Sequence, residues 1–235
     1  MSKHNPYSAE FFEDLRGSSS KSAKIIAQFI LNKIKPKSVV DFGCGTGELL
    51  KALESMGKID CLGIEGPWIE GASRVFRPIA VRDLTNIVTL GKKFDVAVCL
   101  EVGEHLGEQF STNLIASLTN ASDIIVFSAA IPGQNGTDHV NLQFPEYWAK
   151  LFWERSFALW LDPRHEFFQS FTLAPWYQQN TLVFKKISHN FYPKEFISPK
   201  TIYHPLIFPK KHPIKNFVYR ARARINVITS KDCPE

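Results

Sequence analysis

Short apolar runs alternate along the chain with longer stretches in which apolar residues recur every three or four positions. The short runs predict strands at 38–42, 59–64, 78–81, 94–100 and 123–127. The longer stretches predict helices at 24–34, 46–56 and 103–118. Strands that alternate with helices are typical of βα units, so the pattern favours an α/β fold with a mostly parallel sheet.

The pattern changes after the fifth predicted strand. A polar loop over 130–142 is followed by a helix predicted at 145–155, with Pro145 in its first turn. Closing strands are predicted at 157–161 and 176–186, with a helix starting near Asp162 and Pro163 between them. The prediction is a doubly wound sheet of seven strands in one domain, residues 1–187.

A basic, proline-containing C-terminal extension, residues 188–235, follows the predicted domain. It holds nine basic and three acidic residues, whereas residues 1–187 hold 19 and 20. Lysines and arginines cluster between Lys210 and Arg224 with no acid among them. This run indicates either a solvated surface or contact with an anionic partner such as a glycan, a lipid surface or a nucleic acid.

Two absences bear on location. No apolar run approaches the roughly 18–20 residues of a transmembrane helix. The N-terminal residues have no apolar segment of the kind found in a secretion signal. We therefore expect a cytoplasmic protein.

The turn after the first predicted strand reads V-V-D-F-G-C-G-T-G-E and holds three glycines, Gly43, Gly45 and Gly47. A dinucleotide fingerprint, G-x-G-x-x-G, would place its third glycine at position 48, where this chain has Glu48. A pyrophosphate would be repelled by that acid and by Asp41, whereas a cationic ligand would be attracted.

Two further acids follow predicted strands where a nucleoside needs them. Glu65 ends the second strand, at a distance from the turn at which a carboxylate binds both ribose hydroxyls. Asp83 follows the third strand, and its carboxylate with the Leu84 amide suits the edge of an adenine. Together these features indicate S-adenosylmethionine (SAM) as the ligand.

The chain resembles the class I SAM-dependent methyltransferases over roughly residues 7–186. The resemblance rests on V-V-D-F-G-C-G-T-G, L-G-I-E-G, R-D-L-T and F-D-V-A-V-C-L-E-V-G-E-H-L, which occur in the family's order. It implies a Rossmann-like fold and a cofactor site that extends to the end of the fourth strand. The residues assigned to the cofactor are Asp41, Gly43, Cys44, Gly45, Gly47, Glu65, Asp83, Leu84 and Glu101.

Candidate catalytic residues lie in the loops after the fourth and fifth strands. The sulfonium of SAM is already activated, so the enzyme must align the acceptor and, for a hydroxyl, remove its proton. His139 is our first choice as base, and His105, with Glu104 beside it, is the second. Alternatively, His139 orders its loop through Asp138 or Asn141, and His105 packs or caps a helix.

A metal site is a further alternative. A helix starting near Glu101 would place Glu101, Glu104 and His105 on one face. With His139 they would hold a divalent ion that binds two vicinal acceptor oxygens, an arrangement similar to that of metal-assisted methyltransferases. The expected contact between Glu101 and SAM competes with this interpretation.

The acceptor is the least constrained part of the prediction. Tyr147, Trp148 or Trp176 would stack on a sugar or ring. The segment I-P-G-Q-N-G-T-D-H-V-N-L-Q-F-P-E-Y-W resembles a poorly characterised bacterial subgroup associated with surface-glycan or small-molecule modification. We predict O-methylation of a small molecule or of a sugar or glycan hydroxyl. The alternatives are an RNA methyltransferase and a non-catalytic SAM-fold binding protein.

Overall fold

A seven-stranded sheet organises the computed structural model, which describes residues 9–71, 73–187, 196 and 198–208. The strands are β1 (Ser38–Phe42), β2 (Asp60–Glu65), β3 (Ile79–Val81), β4 (Val96–Leu100), β5 (Ile124–Ser128), β6 (Phe157–Leu161) and β7 (Leu182–Lys186). Their order is β3-β2-β1-β4-β5-β7-β6. Pairing is parallel except that β7 runs antiparallel to β5 and β6. The predicted doubly wound, mostly parallel fold is confirmed.

Helices cover both faces of the sheet. They are α1 (Ala9–Lys33), α2 (Glu48–Gly57), α3 (Ser111–Ala121), α4 (Pro145–Trp153), α5 (Arg164–Phe167) and α6 (Pro175–Asn180). Successive residues of a strand point to opposite faces. Accordingly Val39 packs in the core that contains α1 and α2, whereas Val40 and Phe42 pack in the core that contains α3 and α4.

The strand order reverses at β1, which has β2 on one side and β4 on the other. Ligands of doubly wound sheets bind in the crevice beyond the carboxyl ends of the strands at such a point. A ligand site is therefore expected beside the residues that follow β1, β2 and β4.

The helix predicted at 103–118 is wrong in its first half. The structure has 3₁₀ turns at Gly103–His105 and Glu108–Phe110, and α3 begins only at Ser111. The Glu104 carbonyl, which a helix would use internally, accepts instead from the amides of Val140 and Asn141 at 2.9 and 3.0 Å. A contact from a distant loop thus replaces the local helical bond.

The strand predicted at 176–186 is also wrong in its first half, because α6 occupies Pro175–Asn180 and β7 starts at Leu182. Pro175 stands in the first turn, where the missing amide hydrogen is not needed. This short helix turns three amide side chains, Gln178, Gln179 and Asn180, into the interior.

Residues 198–208, the docked segment, pack against the sheet domain. Arg164 is buried and donates to the Lys200 carbonyl at 2.7 Å, and it also binds both carboxylate oxygens of Asp162. The predicted basic run from Lys210 to Arg224 lies outside the described residues. Among the helices that the structure describes, none is both long enough and apolar enough to cross a membrane.

Candidate active site

The glycine loop, residues 43–47, forms the turn between β1 and α2. Gly43 and Gly47 have φ of +74° and +91°, values that favour glycine. A Cβ at Gly43 would lie 2.3 Å from Cγ2 of Val102, and one at Gly47 would lie 2.5 Å from Cβ of Phe76. At these two positions any other residue would strain the backbone, and its Cβ would overlap a neighbouring side chain. The loop also packs directly against Val102, which lies just after β4.

Two buried acids, Asp41 and Glu65, lie next to the glycine loop. The Glu65 carboxylate accepts from the amides of Gly45 and Gly66 at 2.6 and 2.8 Å and from Nε1 of Trp68 at 2.9 Å. Burial raises the pKa of Asp41, and the nearby charge of Glu65 raises it further. Burial also raises the pKa of Glu65, although its three donors oppose this. The cleft therefore favours a cation.

Cys44 and Asp83 occupy different surroundings. The Cys44 thiol is half-buried, and burial together with the charges of Asp41 and Glu65 raises its pKa. Asp83 is exposed and caps its own turn, since its carboxylate accepts from Thr85 and Asn86. Leu84 is buried in the core. The adenine-binding role of Asp83 and Leu84 stays a prediction.

Glu101 directly follows β4 and has a left-handed conformation, with φ of +54°. Its carboxylate accepts from Nε2 of Gln134 at 3.0 Å and from Nδ2 of Asn180 at 3.1 Å. Burial raises the pKa of Glu101, and these amides counteract part of the rise. Backbone strain of this kind is found preferentially at functional sites, where the surrounding structure enforces it.

The bonds to Glu101 belong to a larger set, the amide network of Glu101, Gln134, Gln179 and Asn180. Oε1 of Gln134 accepts from both Gln179 and Asn180 at 3.0 Å. Oε1 of Gln179 accepts in turn from the His204 amide at 2.6 Å. The network thus joins the end of β4 to the docked segment. Sequence reasoning missed its three amides because Gln179 and Asn180 were assigned to a strand and Gln134 to an unstructured loop.

The three predicted catalytic residues come together in the structure. One ligand atom from each of Glu104, His105 and His139 lies within 4.8 Å of the others. The two imidazole rings meet edge to face, with their centroids 5.0 Å apart. The bonds from Val140 and Asn141 to the Glu104 carbonyl hold the loop after β5 in place, which brings His139 to this position.

The cluster is electrostatically unusual. Glu104 is fully buried, and neither of its carboxylate oxygens has a hydrogen-bond partner among the described residues. Burial raises the pKa of Glu104 well above its usual value, and the charge of Glu101 adds to this. Burial and the neighbouring His139 lower the pKa of His105 to about 4. The histidine is therefore neutral near neutral pH.

Residues 13–181 match the model of a protein family that is described as a methyltransferase domain. The chain belongs to this family. The match confirms the prediction of a class I SAM-dependent methyltransferase, an enzyme, with S-adenosylmethionine as its cofactor. It sets aside the alternative of a non-catalytic binding protein.

Solved structures agree with the fold of this methyltransferase. Magnesium protoporphyrin IX methyltransferase from Synechocystis PCC 6803, solved with bound SAM, matches with a TM-score of 0.52 and 18% identity over 74% of this chain and 83% of the other. An O-methyltransferase family protein from Burkholderia thailandensis matches with a TM-score of 0.53 and 10% identity over 76% of this chain and 59% of the other. This chain thus spans less than two thirds of the second protein. A search of curated proteins found no match.

The methyltransferase has a surface cavity of about 540 Å³ at the start of α4. Its lining residues are Gln143, Phe144, Glu146, Tyr147, Thr201 and Tyr203. Gln143 donates to Asn141 at 3.0 Å, which connects the cavity wall to the loop that carries His139. Trp148 lies instead in the core, 5.2 Å from the Phe127 ring between centroids, so it is not free to stack on an acceptor.

Proposed function

We propose that this methyltransferase methylates a hydroxyl group of a small molecule or of a sugar or glycan. The observation that carries the proposal is the meeting of His105 and His139 beside the end of β4. Gly43 contacts Val102, which lies between Glu101 and His105 in the chain, so the glycine loop packs against the segment that leads into the histidine pair. A hydroxyl acceptor needs a group that removes its proton, and neutral imidazole does this near neutral pH.

The proposed step is an in-line displacement. The acceptor hydroxyl loses its proton at the histidine pair, and its oxygen attacks the methyl carbon of SAM. A C–O bond forms as the C–S bond breaks, and neutral S-adenosylhomocysteine leaves. Alignment of the two reactants provides much of the acceleration, because the sulfonium is already a good electrophile.

The lining of the cavity at α4 supports the proposal that the acceptor contains a ring. Phe144 is exposed, and the cavity also contains Tyr147 and Tyr203, whose faces suit a sugar or an aromatic ring. Gln143 and Glu146 provide polar atoms for hydroxyl groups. A mixed aromatic and polar lining of this kind is usual in small-molecule sites.

The cofactor is tested by calorimetric titration with SAM. Wild type is expected to bind SAM, and Asp41→Ala is expected to bind it roughly 10-fold or more weakly, since the variant loses a buried carboxyl that would face a cation. Glu54→Ala, which removes an exposed acid from α2, serves as the matched control and is expected to bind like wild type. Absence of binding to wild type would contradict the proposed function.

The acceptor is tested by incubating cell-extract fractions with methyl-labelled SAM and identifying the labelled product. Label in an ether that survives alkali supports O-methylation of a hydroxyl, whereas alkali-labile label indicates an ester. Label recovered in RNA would favour the nucleic-acid alternative.

With the identified acceptor, His139→Ala should lose 10²-fold or more in kcat, a typical contribution of proton transfer. Full turnover by that variant would exclude His139 as the base.

A further inference from the structure

The cluster of Glu104, His105 and His139 has a composition that suits a cation. We propose that these three residues bind one divalent transition-metal ion, such as Zn²⁺, and that the hydroxyl oxygen of the acceptor takes an open position on it. The role of the ion rests on the proposed function, but its binding does not. Glu101 lies outside this donor set, and its carboxylate accepts from Gln134 and Asn180.

Glu104 provides the first argument. Its side chain is completely buried, and neither carboxylate oxygen forms a hydrogen bond of normal geometry within the described chain, where the Glu101 carboxyl and the Ala130 backbone lie near it. A buried carboxylate without partners is costly, and buried charges in proteins are usually paired or coordinate a metal. The two imidazoles of His105 and His139 complete the cluster. A metal ion would supply the missing positive charge.

The orientation of His139 provides the second argument. Its Nδ1 lies 3.0 Å from the Gln134 carbonyl, which only accepts, so Nδ1 carries the proton and Nε2 keeps the lone pair. Metal-binding histidines are commonly held in this way by a backbone carbonyl. A Cβ at Gly136 would lie 2.2 Å from Nε2 of His139, so the ring occupies space that only a glycine leaves open.

Distances and ligand types fit a first-row metal. Donors at about 2.1 Å from a tetrahedral ion are about 3.4 Å apart, so donor atoms that lie within 4.8 Å of one another reach this spacing by a shift of at most about 1.4 Å. Two imidazoles and one carboxylate form a ligand set that leaves at least one position open. Zinc enzymes with three protein ligands use that position for water or substrate.

The ion changes how the histidine pair assists the reaction. A metal-bound hydroxyl is more acidic, so it loses its proton to solvent, and the bound oxygen attacks the methyl carbon. His105 and His139 then act as ligands and not as bases. Products are the methyl ether, S-adenosylhomocysteine and one released proton, as in the metal-free step.

Binding is tested without an acceptor. The full chain is stripped with a chelator and dialysed against Zn²⁺, and the bound metal is counted; loading with Co²⁺ then reports coordination by its visible absorption. Wild type is expected to bind one ion per chain. Glu104→Gln and His139→Gln should each weaken binding about 10-fold or more, whereas His165→Gln, which removes an exposed histidine from α5, should not.

A variant that keeps all three ligands distinguishes loss of the metal site from loss of the folded structure. Gly136→Ala places a methyl group where the His139 ring lies, so it should also weaken Zn²⁺ binding while the melting temperature shows that the chain is folded. Wild type that binds no Zn²⁺, or loss of affinity in His165→Gln equal to that in Glu104→Gln, overturns the proposal. SAM titration of wild type separates the two proposals, since bound SAM with no bound metal refutes only this one.

Discussion

The side-chain carboxylates of Asp41 and Glu65 lie in one buried cleft, where their negative charges repel each other. For a carboxyl with a raised pKa, the stability that it contributes is full below its ordinary value of 3.8 and is lost as the pH rises through the raised value. At neutral pH the buried carboxyl of Asp41 therefore destabilises the protein without cofactor. A cationic ligand relieves this cost on binding.

Asp41→Asn should consequently separate stability from function. Without SAM at pH 7 we expect its melting temperature to rise by roughly 2–4 °C, the shift produced by about 1 kcal/mol in a chain of this size. The difference from wild type should shrink on acidification, and SAM should stabilise the variant less than it stabilises wild type. Thermal melts from pH 5 to 8 with and without SAM measure both effects. A lower melting temperature than that of wild type at pH 7 would contradict the charge argument.

At the level of single residues, motif spacing predicted which residues meet around the glycine loop. The glycines, Asp41 and Glu65 follow a local sequence pattern, and the structure places them together. The role of each residue stays a prediction. Gln134 and Asn180 carry no such pattern, because an amide that binds Glu101 is recognised only when the fold brings it there.

The element that most affects the site is the glycine loop, through its contact with the end of β4. Gly43→Ala should destabilise the protein by roughly 2–4 kcal/mol, from left-handed backbone strain and from overlap with Val102. It should also abolish SAM binding. Urea unfolding and SAM titration provide the measurements.

A double variant distinguishes the two causes. Gly43→Ala with Val102→Ala removes the steric overlap but not the strain at a φ of +74°. We expect it to be more stable than Gly43→Ala alone once the cost of Val102→Ala itself is subtracted. Simple additivity of the two changes would show that the loop does not press on Val102.

Elements were predicted well where local pattern decides them. The strands β1, β4 and β5 have long apolar runs, and α2 has a clear amphipathic period. The 3₁₀ turn at Gly103–His105 was not predictable, because amides of the distant loop at Val140 and Asn141 determine it. The same bonds create the histidine cluster, so the error in secondary structure and the site share one cause.

At the scale of the whole molecule, the docked segment connects the outer part of the domain to the site. His204 stacks on Phe168, its Nε2 donates to Gln178, and its Nδ1 accepts from the Leu206 amide. Protonation of Nδ1 would break the last of these bonds. Burial lowers the pKa of His204 below its usual 6.5.

Docking of this segment should therefore depend on pH. A histidine with a lowered pKa contributes stability that is present above 6.5 and is lost as the pH falls through the lowered value. Hydrogen exchange of amides 198–208 should speed up below pH 6.5 beyond the intrinsic pH effect, while α2 stays protected. His204→Gln should remove this pH dependence. A wild-type segment that exchanges alike at pH 5 and pH 8, after correction for intrinsic rates, would refute the role of His204.

The fold of the whole molecule could be predicted because alternating strands and helices leave few topologies, whereas the docking of residues 198–208 could not. That segment has few periodic apolar residues, and it is held by side chains far away in sequence, among them Arg164 and Gln179.

The amide network also predicts how relatives of this chain should vary. A carboxylate in place of Asn180 would face Glu101 without a donor, and an apolar residue at Gln134 would leave Glu101, Gln179 and Asn180 each short of a partner. Substitution at one of these positions is therefore tolerated only when another changes with it. In an alignment, positions 101, 134, 179 and 180 should covary as one group, although they are scattered over 80 residues of sequence.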